Sequence, residues 1–263
     1  GRAPNAAASS VALSGRSLMP RQWTVADVAR TLDHAVLKPQ QTDADLAAAA
    51  AMCRQRGVGC LCVRSSDVRQ AASLLAGSAV AVAGVIGFPH GGFVPAVKAA
   101  EAVQAIADGA TELDMVMQIG VFLSGRHDDV QADIAAVVAA AKPAGAIVKV
   151  IFETCYLTAD QTAVACRLAE AAGADFVKTS TGFGSAGATP EAVAVMLETV
   201  GDRLGVKASG GIRDWQTCVN YLNMGCRRIG VGDAAGLLDS RMSPAFAGGS
   251  RQAVEGAHRG ERS

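Results

Sequence analysis

Ile147-Val148-Lys149-Val150-Ile151-Phe152-Glu153, Phe176-Val177-Lys178-Thr179-Ser180 and Gly205-Val206-Lys207-Ala208-Ser209 are three short apolar runs, each with a lysine as its third residue. The lysines recur at even spacing, one strand-plus-helix unit apart. Alternate residues of a strand face opposite sides. If Val148, Val150 and Phe152 pack against helices, then Lys149, Ile151 and Glu153 point the other way. The same phase turns Phe176, Lys178 and Ser180 inward, and Lys207 and Ser209 inward. An earlier run, Glu112-Leu113-Asp114-Met115-Val116-Met117, adds Glu112, Asp114 and Val116. Four strands in succession thus aim charge at a common interior.

Outward from this centre the chain repeats one pattern: a short apolar run, an Ala-rich helical stretch, a glycine, the next run. The candidate strands are 32–37, 59–63, 80–87, 112–117, 147–153, 176–180, 205–209 and 228–231. Helical segments include 42–56, 95–108, 128–141, 158–172, 189–200 and 214–224. Thr42 with Asp45, Thr158 with Gln161, and Thr189-Pro190-Glu191 are helix-start signals, while Gly57, Gly109, Gly173 and Gly225 mark helix ends. Eight strands alternating with helices in 263 residues specify an α/β chain with a single (β/α)8 TIM barrel, a fold of about 250 residues. The doubly wound open sheet is the alternative, and no GxGxxG opens a first helix to favour it. The barrel is expected over 22–238, with a flexible N-terminal extension at 1–21 and a flexible tail at 239–263. Residues 1–21 hold three arginines, many Ala and Ser and no acid, the composition of an organellar transit segment or of an Ala-rich leader.

Composition excludes several classes. The 24 basic and 24 acidic residues cancel, and aromatics make up 4%. Neither a nucleic-acid nor a membrane-surface partner is indicated. No apolar run reaches the ~18 residues needed to cross a bilayer. The seven cysteines form no CxxC pair and no zinc spacing with histidine. They read as small buried thiols of a reducing, cytoplasmic setting, and no metal is expected. Cys60 and Cys62 share one strand face, and Cys62 reads as a core thiol. His34 and His90 read as packed or hydrogen-bonded histidines, and Trp23, Trp215, Tyr156 and Tyr221 as packing at element boundaries.

Clustered lysines carry a chemical consequence. A lysine is almost never buried unpaired. An ammonium cannot attack a carbonyl, but desolvation and a neighbouring cation release its proton. Of two lysines on adjacent strands, such as Lys178 and Lys207, one can become the neutral nucleophile while the other stays cationic. Asp114 can hydrogen-bond the cationic one and shuttle protons. An iminium formed on the neutral amine is an electron sink that lets a C–C bond break or form without a metal or cofactor. Loops after the last barrel strands often bind phosphate, and here they read Thr181-Gly182-Phe183-Gly184 and Ser209-Gly210-Gly211-Ile212-Arg213.

These stretches, together with Leu32-Asp33-His34-Ala35-Val36-Leu37-Lys38-Pro39 and Val85-Ile86-Gly87-Phe88-Pro89, resemble the 2-deoxyribose-5-phosphate aldolase family from Leu32 to about Gly230. The resemblance implies reversible cleavage of 2-deoxy-D-ribose 5-phosphate to acetaldehyde and D-glyceraldehyde 3-phosphate, in deoxyribonucleotide catabolism. It implies Lys178 as the Schiff-base lysine, Lys207 as its perturbing partner and Asp114 as the proton relay. Asp33 and Lys149 would line the pocket, with Thr181, Gly182, Gly210, Gly211 and Arg213 on the substrate. A small-molecule sugar phosphate is the implied partner, and a homo-oligomer, dimer or tetramer, the implied assembly. Three departures stand out. Ala35 replaces a usual Thr, Gly230-Val231-Gly232-Asp233 replaces a Ser-Ser phosphate pair, and the tail has no Tyr. Asp233 would repel a phosphate dianion if it faced the site. Two other readings remain: a Schiff-base lyase for another small aldehyde or keto acid, and a non-catalytic sugar-phosphate-binding barrel.

Overall fold

Each apolar run is a strand of one closed sheet. In the computed structural model, which describes residues 22–242, the strands are β1 Leu32–Val36, β2 Cys60–Val63, β3 Ala81–Ile86, β4 Glu112–Val116, β5 Ile147–Ile151, β6 Phe176–Lys178, β7 Gly205–Ser209 and β8 Arg228–Val231. All pair in parallel with their sequence neighbours, and β8 closes on β1 through Asp33↔Gly230. The helices are α1 Val25–Thr31, α2 Asp43–Arg56, α3 Val68–Leu74, α4 Pro95–Ala107, α5 Ile119–Leu123, α6 His127–Ala141, α7 Ala159–Ala171, α8 Pro190–Val200, α9 Trp215–Met224 and α10 Ala234–Asp239. The chain is the (β/α)8 barrel its sequence specifies. Helix α10 and a 3-10 turn at Ser240–Met242 run past position 238, where the sequence reading ends the barrel. Ser240 Oγ accepts the Trp215 N–H at 2.9 Å, which ties that turn to α9. The extension expected at 1–21, and the expected 239–263 tail from 243 onward, lie outside the described residues.

The sequence signals act where they stand. Thr42 with Asp45 and Thr158 with Gln161 close reciprocal capping boxes on α2 and α7, each worth about 1 kcal/mol. Thr189 caps α8 with Pro190 at its first position. Gly57 ends α2 in the left-handed region at φ 67°, which a Cβ disfavours. Leu113, Met115, Val148, Val150, Val177, Val206 and Ala208 join the apolar layer between strands and helices. A second, smaller cluster of Cys60, Cys62, Ala83, Val85 and Leu37 fills the other side of β2 and β3. Cys60 and Cys62 of this cluster abut the charged residues of the lumen. All seven cysteines are free thiols, and only Cys155 is partly exposed.

Candidate active site

The strand alternation places Lys149, Lys178, Lys207, Asp114, Glu112 and Asp33 together in the lumen. Register sets Asp114 beside Lys149 and Lys178 beside Lys207. Asp114, fully buried, is the hub. Its Oδ2 accepts Lys178 Nζ at 2.6 Å and Lys207 Nζ at 2.6 Å, while its Oδ1 accepts Lys149 Nζ at 2.8 Å. Lys149 also reaches Glu112 at 2.5 Å and Asp33 at 3.3 Å. Lys207 makes a further short ion pair with Asp33. Beneath them Arg228 donates to Asp33 Oδ1 at 2.7 Å and Glu112 Oε2 at 2.9 Å. Gly230 makes room for this packing, since a Cβ there would fall 2.4 Å from Ser209 Oγ and 3.3 Å from Lys207 Cε.

Charge balance singles out one amine. Four bases, Lys149, Lys178, Lys207 and Arg228, face three acids, Asp33, Glu112 and Asp114. Lys149, Lys207 and Arg228 each bridge two or more carboxylates. Among the described residues Lys178 has one carboxylate oxygen, and it shares that oxygen with Lys207. Burial pushes the Lys178 amine below the ordinary lysine range; Asp114 opposes this, and the Lys207 charge adds to it. Lys149 and Lys207 move the other way, because their carboxylate partners outweigh their burial. Asp114 stays ionised well below the usual carboxylate range: burial raises it, and the three lysines together lower it by more. Losing the Lys178 proton leaves bases and acids matched, and a neutral buried amine is a nucleophile.

A cavity of about 540 Å³ opens over this cluster. Asp33, Lys178, Lys207, Thr181, Gly182, Gly210, Gly211 and Arg213, all singled out from the sequence, line it. Asp114 and Lys149 are the exceptions, lying buried below its floor. The β6–α8 and β7–α9 loops interlock where Ala188 N–H donates to Ser209 O at 2.9 Å. A Cβ on Gly187 would lie 2.1 Å from Gly210 O, so only glycine allows this approach. Lys38 and Gln41 complete the mouth. Arg64 holds that loop by donating to the carbonyls of Lys38, Pro39 and Gln41 at 3.3, 3.2 and 3.0 Å.

Some sequence expectations change. Cys62 is 2% exposed, as a core thiol would be, yet it lines the cavity with its Sγ 3.9 Å from Asp114 Oδ2. Burial raises its thiol to about 11. His34 is buried and its Nδ1 accepts Ala234 N–H at 3.3 Å, but His90 is exposed. Tyr221 is packed with its hydroxyl on Ala188 O at 2.9 Å, whereas Tyr156 is 51% exposed. Asp233 sits on the cavity rim, and its Oδ1 accepts Gly236 N–H at 2.9 Å, capping α10. Sequence reasoning missed Arg228, Lys38 and Arg64. The alternation of Arg228-Ile229-Gly230-Val231 turns Arg228 inward with Gly230, a signal available once β8 was placed. Asp33, Cys60 and Glu112 bring potential metal-donor atoms within 4.8 Å of one another. Arg228 and Lys149 already neutralise both carboxylates, and burial holds the Cys60 thiol well above its ordinary range. This donor set does not suit a cation. Among the described residues no helix is long and apolar enough to cross a membrane.

A (β/α)8 barrel with a desolvated lysine beside a second, ionised lysine and a shared carboxylate has the equipment of a lysine-dependent aldolase. Residues 28–235 match the DeoC/LacD family aldolase, and the chain belongs to that family. It is 47% identical over 211 residues to a deoxyribose-phosphate aldolase of Lysinibacillus sphaericus, covering 80% of this chain and 94% of that protein. It is 50% identical over 223 residues to one from Mycobacterium bovis, covering 83% and 97%. Its fold is similar to the tetrameric deoxyribose phosphate aldolase of Aeropyrum pernix, with a TM-score of 0.79 at 32% identity over 84% of this chain and 93% of that one.

Proposed function

We propose that this enzyme cleaves 2-deoxy-D-ribose 5-phosphate reversibly to acetaldehyde and D-glyceraldehyde 3-phosphate, with Lys178 as the Schiff-base lysine. The observation that carries the reading is the sharing of one Asp114 oxygen between Lys178 and Lys207, both within 2.6 Å. The Lys178 amine attacks the aldehyde carbon of the open-chain sugar, and loss of water gives an iminium. The substrate hydroxyl next to the scissile bond loses its proton, the C–C bond breaks, and its electron pair enters the iminium as an enamine. Glyceraldehyde 3-phosphate leaves. Protonation of the enamine carbon and addition of water then release acetaldehyde and the free amine. Lys207 and Asp114 are the proton donor and acceptor nearest to these steps. Arg213 and Lys38 at the mouth, with the backbone at Gly182, Gly210 and Gly211, favour a phosphate at the far end of the substrate, because cations and close backbone approach suit an anion. The similarity to a tetrameric enzyme supports a homo-oligomer, and the free, mostly buried thiols suit a reducing cytoplasm.

Turnover of deoxyribose with and without its 5-phosphate tests the assignment. A kcat/KM at least ~100-fold higher for the phosphorylated sugar is expected, given charge-assisted contacts of this kind. Equal values, or a preference for an unphosphorylated aldehyde or a keto acid, would move the enzyme to the rival lyase reading. No turnover of either sugar would leave a binding barrel.

A further inference from the structure

Glu153 follows β5 and is the one non-glycine residue with positive φ among the described residues, at φ 57° and ψ 63°. It is 2% exposed, and among the described residues no lysine pairs with its carboxylate. That carboxylate turns instead to the β6–α8 loop. It accepts the Thr181 N–H at 3.2 Å on Oε1 and 3.4 Å on Oε2, and the Thr181 hydroxyl on Oε2. Thr181 Oγ1 in turn accepts the Phe183 N–H at 3.0 Å. The loop closes tightly around the carboxylate, since a Cβ on Gly184 would lie 2.9 Å from Glu153 Cδ. Phe183 then packs edge-on against Phe88, ring centroids 5.3 Å apart.

A hydroxyl has one hydrogen and two lone pairs. At Thr181 the hydrogen is committed to Glu153 and one lone pair to Phe183. Only a lone pair remains for the cavity that Thr181 lines. We infer that Glu153 is a positioning residue that makes Thr181 an acceptor-only contact, so that this wall of the pocket reads a substrate hydroxyl and rejects a phosphate oxygen. The inference rests on the aldolase reading, which supplies a polyhydroxy aldehyde as substrate. The left-handed backbone at Glu153 fits this role, because such conformations persist where the surroundings demand them.

Two assays separate the inference from the reading beneath it. Borohydride trapping of acetaldehyde on Lys178 needs no substrate hydroxyl, whereas cleavage of 2-deoxyribose 5-phosphate does. Glu153→Gln is nearly isosteric, but its amide can offer Thr181 a donor and release the threonine hydrogen toward the cavity. Its cleavage kcat/KM should fall about 30-fold while acetaldehyde trapping stays within about twofold. Thr181→Val should show a similar loss, the double variant should be no worse than Thr181→Val alone, and Thr181→Ser should retain activity to within about threefold. Cleavage by Glu153→Gln at the wild-type rate, losses that multiply in the double variant, or trapping that falls in parallel with cleavage would each overturn the assignment. A wild-type enzyme that neither traps acetaldehyde nor cleaves the sugar phosphate would overturn it together with the aldolase reading.

Discussion

Lys98 and Lys178 are both buried beside an aspartate, and of these two only Lys178 lines the cavity. Lys98 of α4 is fully buried between α4 and α6, donating to Asp133 at 2.6 Å and to Val116 O at 2.8 Å. Lys178 is 2% exposed and donates to Asp114 at 2.6 Å. Burial lowers both amines. The difference lies in the company. Asp133 serves one ammonium, so Lys98 and its acid form a closed pair. Asp114 serves three, and Lys178 opens onto the cavity. Burial alone makes a lysine expensive; in the function proposed above, a second cation competing for the same carboxylate beneath an open cavity is what makes Lys178 the nucleophile.

The largest effect expected is at Lys178→Leu, which should lower cleavage by ~10⁴-fold or more, as loss of a covalent nucleophile does, while Lys98→Met leaves kcat/KM within about threefold. Next is Lys207→Leu, expected to slow the reaction about 100- to 1000-fold near pH 7. The sign follows from charge: the Lys207 cation opposes protonation of Lys178, so its removal lets Lys178 hold its proton to higher pH. The rising limb of the trapping rate against pH should therefore move upward in Lys207→Leu, and an unmoved limb would mean that Lys207 acts otherwise. Stability should show the reverse order. Lys98→Met should cost about 3–5 kcal/mol in denaturant unfolding by stranding a buried carboxylate, and pairing it with Asp133→Leu should recover much of that loss. The smallest effect concerns Cys62. With its thiol raised to about 11, alkylation by iodoacetamide at pH 8 should be at least ~10-fold slower than at the partly exposed Cys155, and should still be rising above pH 9. Equal rates at the two sites would show that burial does not hold the Cys62 thiol up.

The parts of this arrangement that follow strand alternation are legible in the sequence. Lys149, Lys178, Lys207, Asp114 and Glu112 face the lumen because period-two phase survives whatever the surrounding structure does. Strands β7 and β8 begin and end where their apolar runs do. Short elements are harder: α1, α3, α5 and α10 have five to seven residues, too few for a helical period to stand out. Arg228 opens its strand, where an arginine reads as surface. The Lys98–Asp133 pair is invisible because its halves lie on different helices, and only packing shows that they meet. Asp233 is ambiguous for the same kind of reason: its charge argues against phosphate, and the cap it makes on α10 depends on a turn that the sequence leaves open.

In the proposed function Lys178 alone, of the buried lysines, presents a free amine to an aldehyde. Sodium borohydride added with acetaldehyde, followed by peptide mass mapping, tests this directly. A reduced two-carbon adduct is expected on the Lys178 peptide, absent from Lys178→Leu and absent from Lys98, Lys149 and Lys207 in the wild type. An adduct on any of those three, or its persistence in Lys178→Leu, would contradict it.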